Sequence, residues 1–161
     1  MSEGVEWAVH CLSVLASAPE GRALPARRLA EVHGVPTAYL TKHLQKLAAQ
    51  GIVSSSPGPR GGFVLARPAN EITLLDVVEA VDGAEPAFRC AEIRQRGPTA
   101  VEAECYQRPC GIAAAFARAD LRWREELRET TLAMLVADIP NTVHPRQLKA
   151  AETWLAEVFA D

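Results

Sequence analysis

Between Val5 and Ala16 the apolar residues Val5, Ala8, Val9, Leu12, Leu15 and Ala16 recur at i, i+3, i+4 and i+7 spacing. That period places them on one face of an amphipathic helix, which the Pro19–Gly21 turn ends. The opposite face carries Glu6, His10, Ser13 and Ser17. A second helix is predicted from Pro25, a residue favoured in a first helical turn, to His33, with Gly34 as its stop. Pro36 opens a third, which Gly51 ends. Leu40, Leu44 and Leu47 form its buried stripe, while Thr37, Ala38, Thr41, Lys42 and Gln45 share the other side. Helix, short turn, helix is the outline of a helix-turn-helix.

Ile52 to Ser56 and Phe63 to Ala66 read as two short strands around a Pro/Gly turn, and a hairpin in that place is a wing. Asn70 to Asp82 returns to helix, with Thr73 and Asp76 spaced as a capping box and Gly83 as the stop. Residues 83 to 111 have no sustained period and hold three of the four cysteines, so they form a long loop of the kind that usually carries function. A long helix is expected from Ile112 to Val136, with Asp120/Arg124 and Arg122/Glu126 as i,i+4 pairs. Phe116, Trp123, Leu127 and Met134 repeat along it as a partner-facing seam. Pro140 and Pro145 bracket a linker before a last helix, Arg146 to Phe159. The fold class is therefore mostly α. A winged helix-turn-helix with a small β-hairpin wing occupies residues 1–82, the cysteine loop 83–111, and a helical dimerisation region 112–161.

Charge sharpens this outline. The 161 residues carry a net charge of −3, which looks wrong for a nucleic-acid binder. Residues 21 to 68, however, hold seven bases (Arg22, Arg27, Arg28, Lys42, Lys46, Arg60, Arg67) and one acid, Glu31, a local balance of +6 that leaves −9 on the rest. A basic module on an acidic body points to DNA. Thr37, Thr41, Lys42 and Gln45 are the residue types that read base edges and phosphates from a major groove. Arg60, the wing's charge, suits a narrow minor groove. One module reads few base pairs, so a homodimer on a palindromic operator is expected in double-stranded DNA. Apolar runs are too short for a membrane span, and the acidic start MSEGVEWAVHC lacks the basic region of a secretory signal; a cytoplasmic protein is expected.

In such a compartment cysteines act as thiols or metal ligands rather than disulfides. Cys105 and Cys110 lie five residues apart just before the long helix, with Cys90 fifteen upstream of Cys105. Iron or zinc suits these soft donors. A 2Fe-2S cluster or a tetrahedral zinc takes four protein ligands, and the loop supplies three sulfurs. Glu6 and His10, one turn apart on the polar face of the first helix, can point at one atom, or else form an ordinary surface pair. Cys11 on that helix reads as a small buried hydrophobe and Trp7 as packing. His33, His43 and His144 are not favoured ligands. No nucleotide-binding glycine motif, CxxC or Ser/His/Asp arrangement points to an enzyme.

The run VPTAYLTKHLQKLAAQGIVSSSPGPRGGFVLARPANEITLLDVVEAVDG, with its GGF and ITLLDVVEAVDG elements, resembles the winged-helix segment of the Rrf-two family of bacterial regulators. The resemblance spans roughly residues 4 to 137. In that family three loop cysteines hold an iron-sulfur cluster, whereas here Cys90 stands well apart from Cys105 and Cys110. GVEWAVHC, PAFRCAEIRQRGP and the later cysteine pair resemble the family's redox-sensing 2Fe-2S repressors. That resemblance implies a cluster across the dimer interface, held by Cys105 and Cys110 of one subunit and by Glu6 and His10 of the other. It also implies Trp7 as the residue that moves with cluster charge, and operator binding in the oxidised state that is released on reduction. Cys90 remains a further ligand candidate. Two other readings stay open: a three-cysteine cluster that senses nitric oxide or iron-sulfur status, and a zinc-stapled interaction module.

Overall fold

The computed structural model describes residues 1–58 and 61–160. In chain order the elements are α1 (Glu3–Ser17), α2 (Ala26–His33), α3 (Thr37–Ala49), β1 (Val53–Ser56), β2 (Gly62–Leu65), α4 (Leu74–Asp82), α5 (Gly111–Glu129), α6 (Leu132–Thr142) and α7 (Pro145–Ala160). They fall into two compact units, Met1–Ala84 with Leu127–Asp161, and Glu85–Glu126.

The first unit is built on one apolar cluster. Ala8, Cys11 and Leu12 of α1, Leu29 of α2, and Leu40, Leu44 and Leu47 of α3 are completely buried in it. Burying each leucine contributes about 1.5–3 kcal/mol, so the three-residue stripe predicted for α3 is a large part of what fixes that helix. Gly34 turns the chain between α2 and α3 at φ 64°, and its N–H donates to the carbonyls of Ala30 and Glu31. A side chain there would be strained.

β1 and β2 pair antiparallel from Val53↔Leu65 to Ser56↔Gly62. The segment before α2 adds itself to their edge, with Leu24 N–H donating to Phe63 O at 3.0 Å and Phe63 N–H to Leu24 O at 2.8 Å. This close approach explains the glycines of GGF. A Cβ on Gly62 would run into the Leu24 and Pro25 backbone, and one on Gly61 into Ser56 O and Pro57. At the start of α4 the capping box forms: Thr73 Oγ1 accepts from Asp76 N–H at 3.1 Å, and Asp76 Oδ2 accepts from Thr73 N–H at 2.9 Å.

The expected helix Ile112–Val136 is two helices. At Thr130–Thr131 the chain pairs instead with the segment before α4: Leu74 N–H donates to Thr130 O at 2.9 Å and Leu132 N–H to Ile72 O at 2.8 Å. Thr131 then caps α6, its hydroxyl accepting from Met134 N–H at 3.3 Å. Sequence periodicity carries no information about these long-range bonds. The expected seam is divided as a result. Phe116 and Trp123 are exposed on α5, Leu127 packs on the core, and Met134 is exposed on α6. Pro140 lies within α6, in its last turn, where it removes the N–H that would donate to the carbonyl of residue 136, and only Val143 and His144 link α6 to α7.

The second unit has no fully buried residue among those described. Phe88 stacks on Phe116 with centroids 4.3 Å apart, and polar staples do the rest. Arg94 reaches Glu92 at 2.7 Å and Arg108 O at 2.8 Å, and lies over the Tyr106 ring. Tyr106 OH donates to Arg94 O at 2.9 Å and accepts from Val101 N–H at 3.0 Å.

Thr73→Ala removes a hydroxyl that caps α4 and should cost about 1 kcal/mol of stability, seen as a lower urea midpoint with unchanged slope. Burial holds both His33 and His43 below the ordinary histidine value, with the positive charge of His10 and of Lys46, respectively, adding to it. The unfolded chain therefore binds more protons near pH 6. Stability should be full above about pH 6.5 and fall as pH drops through the lowered folded values, and His43→Gln should flatten that fall. Urea unfolding at pH 7.5 and 5.5 measures both effects.

Candidate nucleic-acid interface and metal-ligand residues

α3 presents the expected polar side outward. Thr37, Lys42 and Gln45 are exposed and Thr41 is half-buried. The Thr41 hydroxyl donates to Thr37 O at 2.7 Å, which fixes its rotamer and leaves its oxygen as an acceptor. Lys42 Nζ lies 5.4 Å from the centroid of Tyr39, a ring 59% exposed on the same helix. Tyr39, not singled out from the sequence, is placed by the structure on the exposed side of α3 beside Lys42. A large aromatic outside the Leu40–Leu44–Leu47 stripe was the signal. Lys46 has another use, since its ammonium donates to Val81 O at 2.6 Å and ties α3 to α4. Arg60 lies outside the described residues.

Glu6 and His10 stand exposed one turn apart on α1, as their spacing requires. This side of α1 also meets its neighbours. The His10 ring sits 5.4 Å from His33 of α2, and Trp7 meets His43 of α3 edge-on at 6.2 Å. A Cβ on Gly4 would run into the His43 ring, so α1 approaches α3 as closely as glycine allows. His33 Nε2 and His43 Nδ1 are buried without a hydrogen-bond partner among the described residues, consistent with rings held neutral by burial. Cys11 is fully buried and its thiol is pushed up to about 12, which makes it an inert core residue.

The other three cysteines belong to the second unit. Cys90 and Cys105 are exposed, and Cys110 is half-buried directly before α5. The Ala113 and Ile112 amides at the start of α5, and then the Arg94 guanidinium, hold the Cys110 thiol below its ordinary value. Its thiolate is favoured, and thiolate is the form that binds metal. The Cys90 thiol donates to Glu92 Oε1 at 3.7 Å, and Glu92 pairs with Arg94. Among the described residues of one chain no three His, Cys, Asp or Glu side chains gather as a metal site. Glu6 and His10 lie in one unit, Cys105 and Cys110 in the other.

Three core helices, a paired hairpin and a polar outward helix face define a winged-helix transcriptional regulator. Residues 1–138 match the family described as Rrf2, iron-dependent transcriptional regulator, and the chain belongs to that family. It is 30% identical over 132 residues to the HTH-type transcriptional regulator YwgB of Bacillus subtilis, covering 82% of this chain and 81% of that one. With the HTH-type regulator Rv1287 of Mycobacterium tuberculosis it shares 32% over 136 residues, 83% of this chain and 78% of the relative. Two solved structures share the fold. IscR of T. potens superposes with a TM-score of 0.67 at 19% identity, over 89% of this chain and 90% of the other. CymR, the global cysteine regulator of B. subtilis, superposes at 0.65 and 20% identity, over 85% and 95%. No described helix is long and apolar enough to cross a membrane.

Lys42→Ala and Arg60→Ala should each weaken DNA binding and lower the salt slope by about one for every phosphate the variant no longer neutralises. Unchanged affinity in both variants, by gel shift at fixed salt, removes the assignment to α3 and the wing.

Proposed function

We propose that this regulator is a homodimeric repressor on a palindromic operator, whose DNA affinity is set by the redox state of a 2Fe-2S cluster at the dimer interface. Cys105 and Cys110 of one subunit, with Glu6 and His10 of the partner subunit, supply the four donors such a cluster takes. The donors suit the group. Cys110 favours its thiolate, Cys105 is exposed, and Glu6 and His10 stand exposed a turn apart. When bound, the cluster supplies a centre that gains and loses one electron.

The observation that carries the reading is what the same face of α1 touches. His10 packs on His33 of α2, and Trp7 on His43 of α3, so both helices of the reading head rest on this face. A turn of the His10 side chain changes its contact with α2, and Trp7, as the relay, changes the seat of α3. These are two short steps from ligand residue to DNA-reading helix. A one-electron change at the bound cluster alters the charge beside these contacts, and that change in electrostatic energy would drive the switch. Cys90, beside Glu92 and the same Arg94 that acts on Cys110, supports a second reading in which Cys90, Cys105 and Cys110 of one chain hold the cluster.

Mixed dimers separate the two. A Cys105→Ala/Cys110→Ala chain and a Glu6→Ala/His10→Ala chain should each fail to hold a cluster as homodimers. Their heterodimer should bind half the iron and visible absorbance of wild type, because one of its two sites is intact. A colourless heterodimer, with dimerisation shown by light scattering, overturns cross-subunit ligation. Zinc in place of iron by metal analysis of anaerobically purified protein overturns the cluster itself. Trp7→Ala should keep the absorbance and bring the ratio of oxidised to reduced DNA affinity towards one.

A further inference from the structure

α7 lies beyond residue 138, where the family match ends, yet it is docked on the winged helix. Leu155, Val158 and Phe159 pack against the core cluster. Its last turn closes a cleft of about 700 Å³ whose other walls are the segment before α2, the first turn of α2 and the base of the wing. Arg22, Arg27 and Arg28 line this cleft with Ser56 and Gly61, and no carboxylate is among its described lining residues.

The three guanidinium groups are in different states. Arg28 is partly compensated by Glu31 at 3.0 Å. Arg22 is held without being neutralised: its Nη2 donates to Phe159 O at 3.0 Å, and its Cζ lies 5.0 Å from the centre of the Phe159 ring. A carbonyl and a ring fix a guanidinium in place and leave its charge intact. Arg27 is exposed and forms no ion pair with a described residue. The residue preceding the first turn of α2 is Pro25, which offers no side-chain cap, so the amides that open α2 also lack a side-chain acceptor. In a chain of net charge −3, positive charge concentrated in one concave place calls for an anion.

We infer that this cleft seats a backbone phosphate of the DNA duplex, and that Phe159 positions Arg22 for it, which makes the C-terminal helix part of the DNA-binding machinery. The phosphate is DNA's rather than a free ion's because the walls are the wing and the first helix of the helix-turn-helix, the elements beside the reading helix. The inference rests on the DNA-binding reading of this chain and is independent of the cluster.

The test measures binding of the full-length dimer to a labelled mixed-sequence DNA duplex across a potassium chloride series, by fluorescence anisotropy. Arg22→Ala and Arg27→Ala should each lower the slope of log K against log salt by about one for every phosphate left without its guanidinium. Arg27→Lys should restore the slope. Phe159→Ala removes no charge; it should reproduce part of the Arg22→Ala effect and add nothing when the two are combined. Lys42→Ala is the control for DNA binding through α3, and cluster absorbance should be unchanged in every variant. Slopes unaltered by Arg22→Ala and Arg27→Ala, while Lys42→Ala lowers its own, overturn the cleft and leave the α3 assignment standing, even if inorganic phosphate proves to bind the cleft by calorimetry. Full additivity of Phe159→Ala and Arg22→Ala overturns the role given to α7.

Discussion

The close packing of α1 against α2 and α3 is the constraint on which the rest depends. Its inner face, with Ala8, Cys11 and Leu12 completely buried, is the centre of the core. Its outer face carries Glu6 and His10, while Trp7 and His10 reach across to His43 and His33. Gly4 allows the approach, since any larger residue would strike the His43 ring. One helix therefore holds the reading head together and also exposes Glu6 and His10. Well-packed cores shift between discrete arrangements rather than deforming smoothly, which is the physical basis of the switch proposed above.

The cysteine loop follows a different physical rule. Glu85–Glu126 has a stack of Phe88 on Phe116 but no fully buried residue among those described, and Arg94 is the point where Glu92, Arg108 O and Tyr106 meet. A loop held by exposed polar bonds has low local stability, since each such pair contributes little against water. Such a segment fits the proposal above, in which its cysteines would adjust around a cluster. The amides opening α5 act regardless of such adjustment, because they belong to a helix, and they are the first cause of the lowered Cys110 thiol.

The winged-helix segment was legible from Val5 to Gly83 because its signals are local. Apolar period, Gly34 in a left-handed turn, the Thr73–Asp76 box and the paired glycines each express a short-range steric or hydrogen-bonding requirement, and each forms as its spacing dictates. The polar side of α3 and the Glu6–His10 pair were readable for the same reason: helical geometry alone places them. Tyr39 was not singled out, although its place outside the Leu40–Leu44–Leu47 stripe marks it as exposed; that its ring lies beside Lys42 depends on side-chain placement.

The sequence by itself determined which residues face the core, where the helices of the head begin and stop, and that Glu6 and His10 lie one turn apart on the exposed side of α1, because these follow from backbone geometry over a few residues. Only the tertiary structure decided what depends on partners far along the chain. The break at Thr130 comes from bonds to Ile72 and Leu74, which overrule a helical period that reads as continuous. Lys46 is committed to Val81 O, and Arg22 to Phe159, across 35 and 137 residues. The meetings of Trp7 with His43 and of His10 with His33 likewise join separate helices. Local pattern cannot encode such contacts, because each exists only once burial of a shared core has brought distant segments to the same place.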